Sequence, residues 1–124
     1  MSPDDICIRV KTRFLPEQSQ PDEAKFAFAY HITIDNTGDQ AATLLSRYWR
    51  ITDGNQKCQE VAGPGVVGEQ PRLEPGGTHS YTSGVLLDTP VGTMEGHYHF
   101  QVEDRTGFDV PIAPFLLAVP GAIN

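Results

Sequence analysis

The sequence predicts an all-β domain, an antiparallel two-sheet β-sandwich of about seven or more strands. Three observations carry this. Runs with period-two alternation recur along the chain, and 12 glycines and 10 prolines punctuate them. No segment of about ten residues or more carries a helical stripe. The hydrophobic content of 39% and charged content of 20% are those of an ordinary folded protein rather than a disordered one.

The first run is the cleanest. Ile6, Ile8, Val10 and Phe14 fall on one face, and Cys7, Arg9, Lys11 and Arg13 on the other. The three cations read as a solvated strand face or a blunted sheet edge. The polar stretch from Pro16 to Glu23 makes a loop. The second run turns Phe26, Phe28, Tyr30, Ile32 and Ile34 inward and ends at the turn cluster Asp35-Asn36-Thr37-Gly38. The third, Thr43 to Thr52, alternates less cleanly. It sets Leu45, Trp49 and Ile51 on one side against Leu44 and Tyr48 on the other, as expected of a strand packed on both faces. Arg47 and Trp49 share a face, with Trp49 read as core. Asp53-Gly54-Asn55 turns into a strand over Gln56–Val61. Further strands fit Thr78–Ser83 and Met94–Glu103. In the latter Met94, Tyr98, Phe100 and Val102 face in, and Glu95, His97, His99 and Gln101 face out. The last run, Phe108 to Val119, contains Pro111 and Pro114, which confine it to an edge or interrupt it.

A chain of 124 residues fits one domain over 1–124, and no linker, repeat or low-complexity tract divides it. Nine basic against sixteen acidic residues give a net charge of −7, which disfavours nucleic acid as a partner. No apolar run approaches the roughly 20 residues of a membrane span. The acidic start Met1-Ser2-Pro3-Asp4-Asp5 has no apolar signal core, so the expected location is cytoplasmic. Cys7 and Cys58, without C-x-x-C spacing, read as free thiols.

The motif that stands out is Gly63-Pro64-Gly65-Val66-Val67-Gly68-Glu69-Gln70-Pro71, which spells G-x-G-x-x-G. A dinucleotide fingerprint needs a strand before the first glycine and a helix opening at the third, with an acidic residue about twenty positions on. Val61 can close a strand and Asp88 meets the spacing, but Pro71 and Pro75-Gly76-Gly77 forbid the helix. A phosphate would then need a nest of backbone N–H groups, with Arg72 as the nearest cation. The alternatives are a structural loop, or a protein-contact patch in which Val66 and Val67 are exposed. Glu95, His97 and His99 on one strand face form a candidate transition-metal site. Thr82-Ser83-Gly84 lacks a nucleophile-elbow pattern, so Ser83 is not read as catalytic.

Five segments taken in order, Leu44-Leu45-Ser46-Arg47-Tyr48-Trp49, the glycine run, Tyr81-Thr82-Ser83-Gly84, Gly92-Thr93-Met94-Glu95-Gly96-His97-Tyr98 and Pro114-Phe115, together resemble the ApaG family from about Ile6 to Pro120. The match carries over at Gly63, Gly65, Gly68, Tyr81, Gly84, Gly96, His97 and Tyr98, and does not extend to His99. The resemblance implies a fibronectin type III-like or immunoglobulin-like sandwich. It also implies the CorD label, with its Co²⁺-resistance and Mg²⁺-efflux phenotype. Similar domains appended to eukaryotic F-box proteins and to a polymerase δ-interacting protein look like protein-binding modules. The resemblance implies no cofactor and no firm enzymatic activity.

The expectation is therefore a small, non-enzymatic protein-interaction module tied to divalent-cation homeostasis, whose partner protein is unknown. Its binding surface would comprise Gly63, Gly65, Val66, Val67, Gly68, Glu69 and Gln70, with Tyr81, Thr82, Ser83 and Gly84 brought near by a reversal at Glu74–Gly77. The alternatives are binding of a small anion (nucleotide or pyrophosphate) by the glycine loop, and direct metal binding. Monomer and homodimer both stay open.

Overall fold

The alternation in the first two runs is realised directly. In the computed structural model, which describes residues 1–103 and 105–122, β1 (Ile6–Phe14) runs antiparallel to β2 (Phe26–Asn36) in a register from Ile6↔Asn36 to Phe14↔Phe28. The last two positions of the domain predicted over 1–124 fall outside the described residues. β6 (Thr78–Leu87) pairs with the other side of β2 and completes a three-stranded sheet in the order β1-β2-β6. The second sheet has the order β4-β3-β7-β8, built from β3 (Ala42–Asp53), β4 (Cys58–Pro64), β7 (Val91–Val102) and β8 (Phe108–Ala118). A two-residue strand, β5 (Arg72–Leu73), also pairs with β3. The chain is all-β with two antiparallel sheets, and the polar loop between β1 and β2 is tightened by short 3₁₀ turns at Pro16–Gln18 and Pro21–Glu23.

The inner faces meet in one core. Phe28, Ile32 and Ile34 of β2 pack in the same cluster as Leu44, Trp49, Tyr98, Phe100 and Leu117 of the larger sheet. Trp49 lies edge-on to Tyr30, Tyr98 and Phe115, with ring centroids 5.6, 6.1 and 5.8 Å away, the arrangement that ring quadrupoles favour. Buried Asn36 is satisfied by the turn that follows and by β5: its Nδ2 donates to the carbonyls of Gln40 and Leu73, and its Oδ1 accepts from the Gly38 N–H.

β3 departs from its predicted pattern for a specific reason. Its pairing with β7 shifts between Leu44 and Ser46, so Leu45 occupies a β-bulge. One extra residue inverts the parity of everything after it. Ala42 and Leu44 face inward before the bulge, and Trp49 and Ile51 after it. Grouping Leu45 with Trp49, and reading the strand as packed on both faces, is corrected accordingly. The proline expectation holds: β8 is an edge strand, paired only with β7, and its register skips Ala113 and Pro114. β4 and β6 are likewise the terminal strands of their sheets, so two unpaired edges flank one side of the sandwich.

Candidate functional site

The glycine run is positioned by the β3 bulge. β4 pairs with Ser46–Thr52 of β3, and β5 pairs with Ala42 and Thr43 of the same edge. Between these two the chain must step over Leu45, and the run does so as a small hairpin. The Gly65 N–H donates to the Leu45 carbonyl at 2.8 Å, and Gln70 Nε2 donates to the same oxygen at 2.9 Å. The Leu44 N–H closes the far side on the Pro71 carbonyl at 2.9 Å. Val66 and Glu69 exchange two backbone hydrogen bonds of 2.8 and 3.0 Å. The residues between them, Val67 (φ 47°) and Gly68 (φ 79°), both have positive φ, the signature of a type I′ turn.

The two valines therefore part company. Val66 is 1% exposed and belongs to the core, whereas Val67 is 62% exposed at the turn tip. The expectation of an exposed Val66-Val67 pair is corrected by this geometry: the strand-like bridge to Glu69 turns Val66 inward and leaves its neighbour outside. Gly65 has φ +60°, and a Cβ there would lie 2.1 Å from the Glu69 carbonyl oxygen. At Gly63 the close neighbour is Arg47, whose guanidinium would lie 3.2 Å from an added Cβ. Arg47 Nη1 donates to the Pro64 and Gly65 carbonyls, each at 3.0 Å, and staples the hairpin to β3. The sequence paired Arg47 with Trp49 and missed this role. The signal for it was cross-strand, since Gly63 stands directly opposite Arg47.

This arrangement spends three of the donors an anion would use and leaves those of Val67 and Gly68. The N–H groups of Gly65, Val66 and Glu69 are all committed within the hairpin or to β3. No helix follows Gly68, because the chain enters β5 directly. Arg72, the nearest cation in sequence, is held by Glu74 at 3.0 Å and Glu103 at 3.7 Å. The loop is a hairpin with an apolar tip, and its two remaining N–H groups have neither a helix N-terminus nor an unpaired Arg72 beside them.

The reversal at Glu74–Gly77 forms as predicted, with the Gly77 N–H on the Glu74 carbonyl at 2.7 Å. It brings the hairpin beside the start of β6, where Glu69 Oε2 lies 4.0 Å from His79 Nε2. The four predicted residues on β6 then diverge. Tyr81 points inward and its hydroxyl is hydrogen-bonded to that of Tyr98. Burial pushes the Tyr81 phenol up to about 12 and raises Tyr98 further. Thr82 faces out and shares a 2.7 Å hydrogen bond with His31 Nδ1. Ser83 and Gly84 lie farther along, beside Arg47 in a crevice between the sheets.

The histidine face does not converge on a metal. His97 stacks on Tyr48 with ring centroids 5.1 Å apart, while His99 Nδ1 pairs with Asp109 Oδ1 at 2.8 Å. Glu95 stands opposite Arg50. Among the described residues no three His, Cys, Asp or Glu side chains gather as a ligand set, so Glu95, His97 and His99 are corrected to three separate surface residues.

Both cysteines are free and exposed. Cys58 Sγ lies 3.3 Å from Thr52 Oγ1 and 3.6 Å from Arg50 Nη2, and the Thr52 hydrogen bond, then that of Arg50, lowers its pKa. The thiolate is the nucleophile, so a lowered pKa moves the reactivity curve towards lower pH. Iodoacetamide labelling of Cys58 followed against pH is expected to show an inflection below that of an ordinary thiol, and Thr52→Val is expected to move it upward. An unchanged profile in the variant would contradict the assignment.

Comparison with known proteins agrees with this architecture. The ApaG domain family model matches residues 16–102. The chain belongs to the ApaG family. It is 56% identical over 119 residues to Protein ApaG of Azotobacter vinelandii, with 96% of this chain and 94% of that protein covered. Protein ApaG of Pectobacterium atrosepticum is 50% identical over 119 residues, with coverage of 96% and 95%. A crystal structure from Bordetella pertussis, described there as an ApaA protein, superposes with a TM-score of 0.92 at 52% identity, covering 95% of this chain and 96% of that one. The family resemblance drawn from the glycine run and its companions is therefore correct, and the two-sheet arrangement is shared with a solved relative. In this ApaG chain no helix is long and apolar enough to cross a membrane among the described residues.

Proposed function

We propose that this ApaG-family chain is a non-enzymatic, cytoplasmic protein-interaction module, and that the tip of the glycine hairpin is its contact point. The observation that carries this is Val67. A β-branched residue at φ 47° occupies a turn position where Gly or Asn is least strained, and it is 62% exposed. Backbone preference and hydration both oppose valine there, so an observed outlier points to a use beyond stability. The anchored hairpin holds the tip rigid, which lowers the ordering cost of a contact. Glu69 and Gln70 flank it with polar groups, as the rim of a small interface requires.

The nearby polar groups of catalytic type are engaged with one another, His31 with Thr82 and Tyr81 with Tyr98, which favours a binding role. A link to Co²⁺ and Mg²⁺ homeostasis would on this reading be indirect, exerted through the partner rather than through ligands on this chain. The test compares wild type, Val67→Asp and Val67→Ile as immobilised baits in cell extract, with Co²⁺ tolerance of a strain lacking the gene as the cellular readout. Val67→Asp is expected to lose the partner and fail to restore tolerance, while Val67→Ile retains both. A folded Val67→Asp variant that keeps every partner contradicts the proposal.

A further inference from the structure

Away from the hairpin tip, β6 ends the smaller sheet with its outer edge open. The Asn36 N–H donates to the Gly77 carbonyl just before this strand, and an unbroken register with β2 carries that alternation along it. His79, Tyr81, Ser83 and Val85 therefore bond to β2. The N–H and C=O groups of Thr78, Ser80, Thr82, Gly84 and Leu86 face outward, without partners among the described residues. A free edge invites another strand, and the other terminal strands are guarded against one. β1 carries Arg9, Lys11 and Arg13, β8 has Pro111, Pro114 and a register shift, and the shorter β4 carries Glu60 and Pro64. β6 runs for 10 residues without Asp, Glu, Lys, Arg, Pro or a bulge.

Gly84 adds a second, independent sign. Glycine weakens a strand interior unless a bulge, a bend or a close backbone approach requires it. Nothing within this chain does: its φ lies outside the left-handed region, and an added Cβ would meet only the Phe28 carbonyl oxygen, at an ordinary 3.5 Å. An approach from outside the chain remains. Gly84 borders a recess of about 320 Å³ whose lining includes Leu15, Gln18, Ala27 and Leu86. On the inner side the strand overlooks the crevice between the sheets, lined there by Val61, Val85 and Met94. Val61 and Leu86, 40% and 52% exposed, are among the most exposed large apolar side chains described.

We propose that the β6 edge binds an extended segment of a partner protein as a fourth strand of the smaller sheet. The segment is uncharged where it pairs, apolar at alternate positions over the crevice, and aromatic at the position that covers Gly84. Only another backbone satisfies a row of outward N–H and C=O groups, and side chains at alternate positions then set specificity. A charged side chain in the paired stretch would lose hydration against a strand that offers no counter-charge. An aromatic ring laid across a strand glycine covers the backbone that the glycine leaves bare. A second copy of this chain lacks that ring. Pairing β6 with itself sets Thr78, Ser80, Thr82, Gly84 or Leu86 opposite Gly84, none of them aromatic. The edge is separate from the Val67 contact, and either can fail without the other.

The probe is the acetylated, amidated peptide Lys-Val-Thr-Val-Phe-Val-Thr-Val-Lys, followed by amide shifts and hydrogen exchange of the ¹⁵N-labelled full chain. Saturable binding is expected at submillimolar peptide. The Thr82 and Gly84 amides should slow by at least about tenfold, while those of Tyr81 and Ser83, already bonded to β2, change little. N-methylation of the phenylalanine and of the valine before it removes a donor from each edge of the peptide and should abolish binding. Gly84→Thr meets no clash in the fold, so it should keep Tm and weaken the peptide about tenfold by filling the recess. No binding, or Thr82 and Gly84 amides left fast at saturation, overturns the proposal. So does equal affinity of the N-methylated peptide, or unchanged affinity in folded Gly84→Thr. Dimerisation by sedimentation without peptide, slowing the same amides, also overturns it and makes a second copy the occupant.

Discussion

Val66→Asp is expected to unfold the domain, whereas Val67→Asp leaves it folded. The two residues are adjacent and chemically identical, but Val66 is 1% exposed within the core and Val67 is 62% exposed. Removing a buried valine forfeits about 1.5–3 kcal/mol of hydrophobic stabilisation. Placing a carboxylate in the vacated site adds a desolvation cost of several kcal/mol, since the group must either lose its hydration or be held protonated. The sum is comparable with the roughly 5–15 kcal/mol that keeps an ordinary domain folded. Val67→Asp should change stability by no more than about 0.5 kcal/mol, because the tip is solvated and aspartate tolerates positive φ better than valine does. Urea denaturation of the three proteins gives the comparison, and equal losses in both variants would show that the hairpin is not seated as described.

Gly65→Ala and Gly68→Ala should separate just as clearly. Both glycines have positive φ, +60° and +79°, so alanine carries a backbone penalty of about 1–2 kcal/mol at either. At Gly68 nothing lies within 4 Å of the added Cβ, and the penalty ends there. At Gly65 the Cβ would sit 2.1 Å from the Glu69 carbonyl, an overlap with backbone that no rotamer relieves. The hairpin must open, and the Gly65 bond to Leu45 and the burial of Val66 are lost together. A destabilisation of about 3 kcal/mol or more follows for Gly65→Ala. By thermal denaturation it should lower Tm several times as far as Gly68→Ala does. A phosphate cradle predicts a different pattern, in which such glycine variants stay folded and lose an anion instead.

These outcomes also mark how far the residues speak for themselves. β1 and β2 were legible because each keeps one phase from end to end, and β8 because proline can be tolerated at an edge. β3 was not, since a bulge at Leu45 changes parity without changing composition. The glycine run could be denied its helix from Pro71 alone. That Val66 is core and Val67 is not depends on two positive φ values and on the carbonyl of Leu45, which no local pattern encodes. His97 and His99 do face outward as their spacing requires, but their partners, Tyr48 and Asp109, come from neighbouring strands. The crevice likewise depends on which strands end each sheet, a property of topology that alternation within a strand cannot carry.

The central claim, that the G-x-G-x-x-G run is a core-anchored hairpin, is tested most directly by amide hydrogen exchange across residues 63–70. The Gly65, Val66 and Glu69 N–H groups are bonded to Leu45, to Glu69 and to Val66, so they should be strongly protected, while the unbonded amides of Val67 and Gly68 exchange near the free-chain rate. Uniformly fast exchange of Gly65, Val66 and Glu69 would contradict the account.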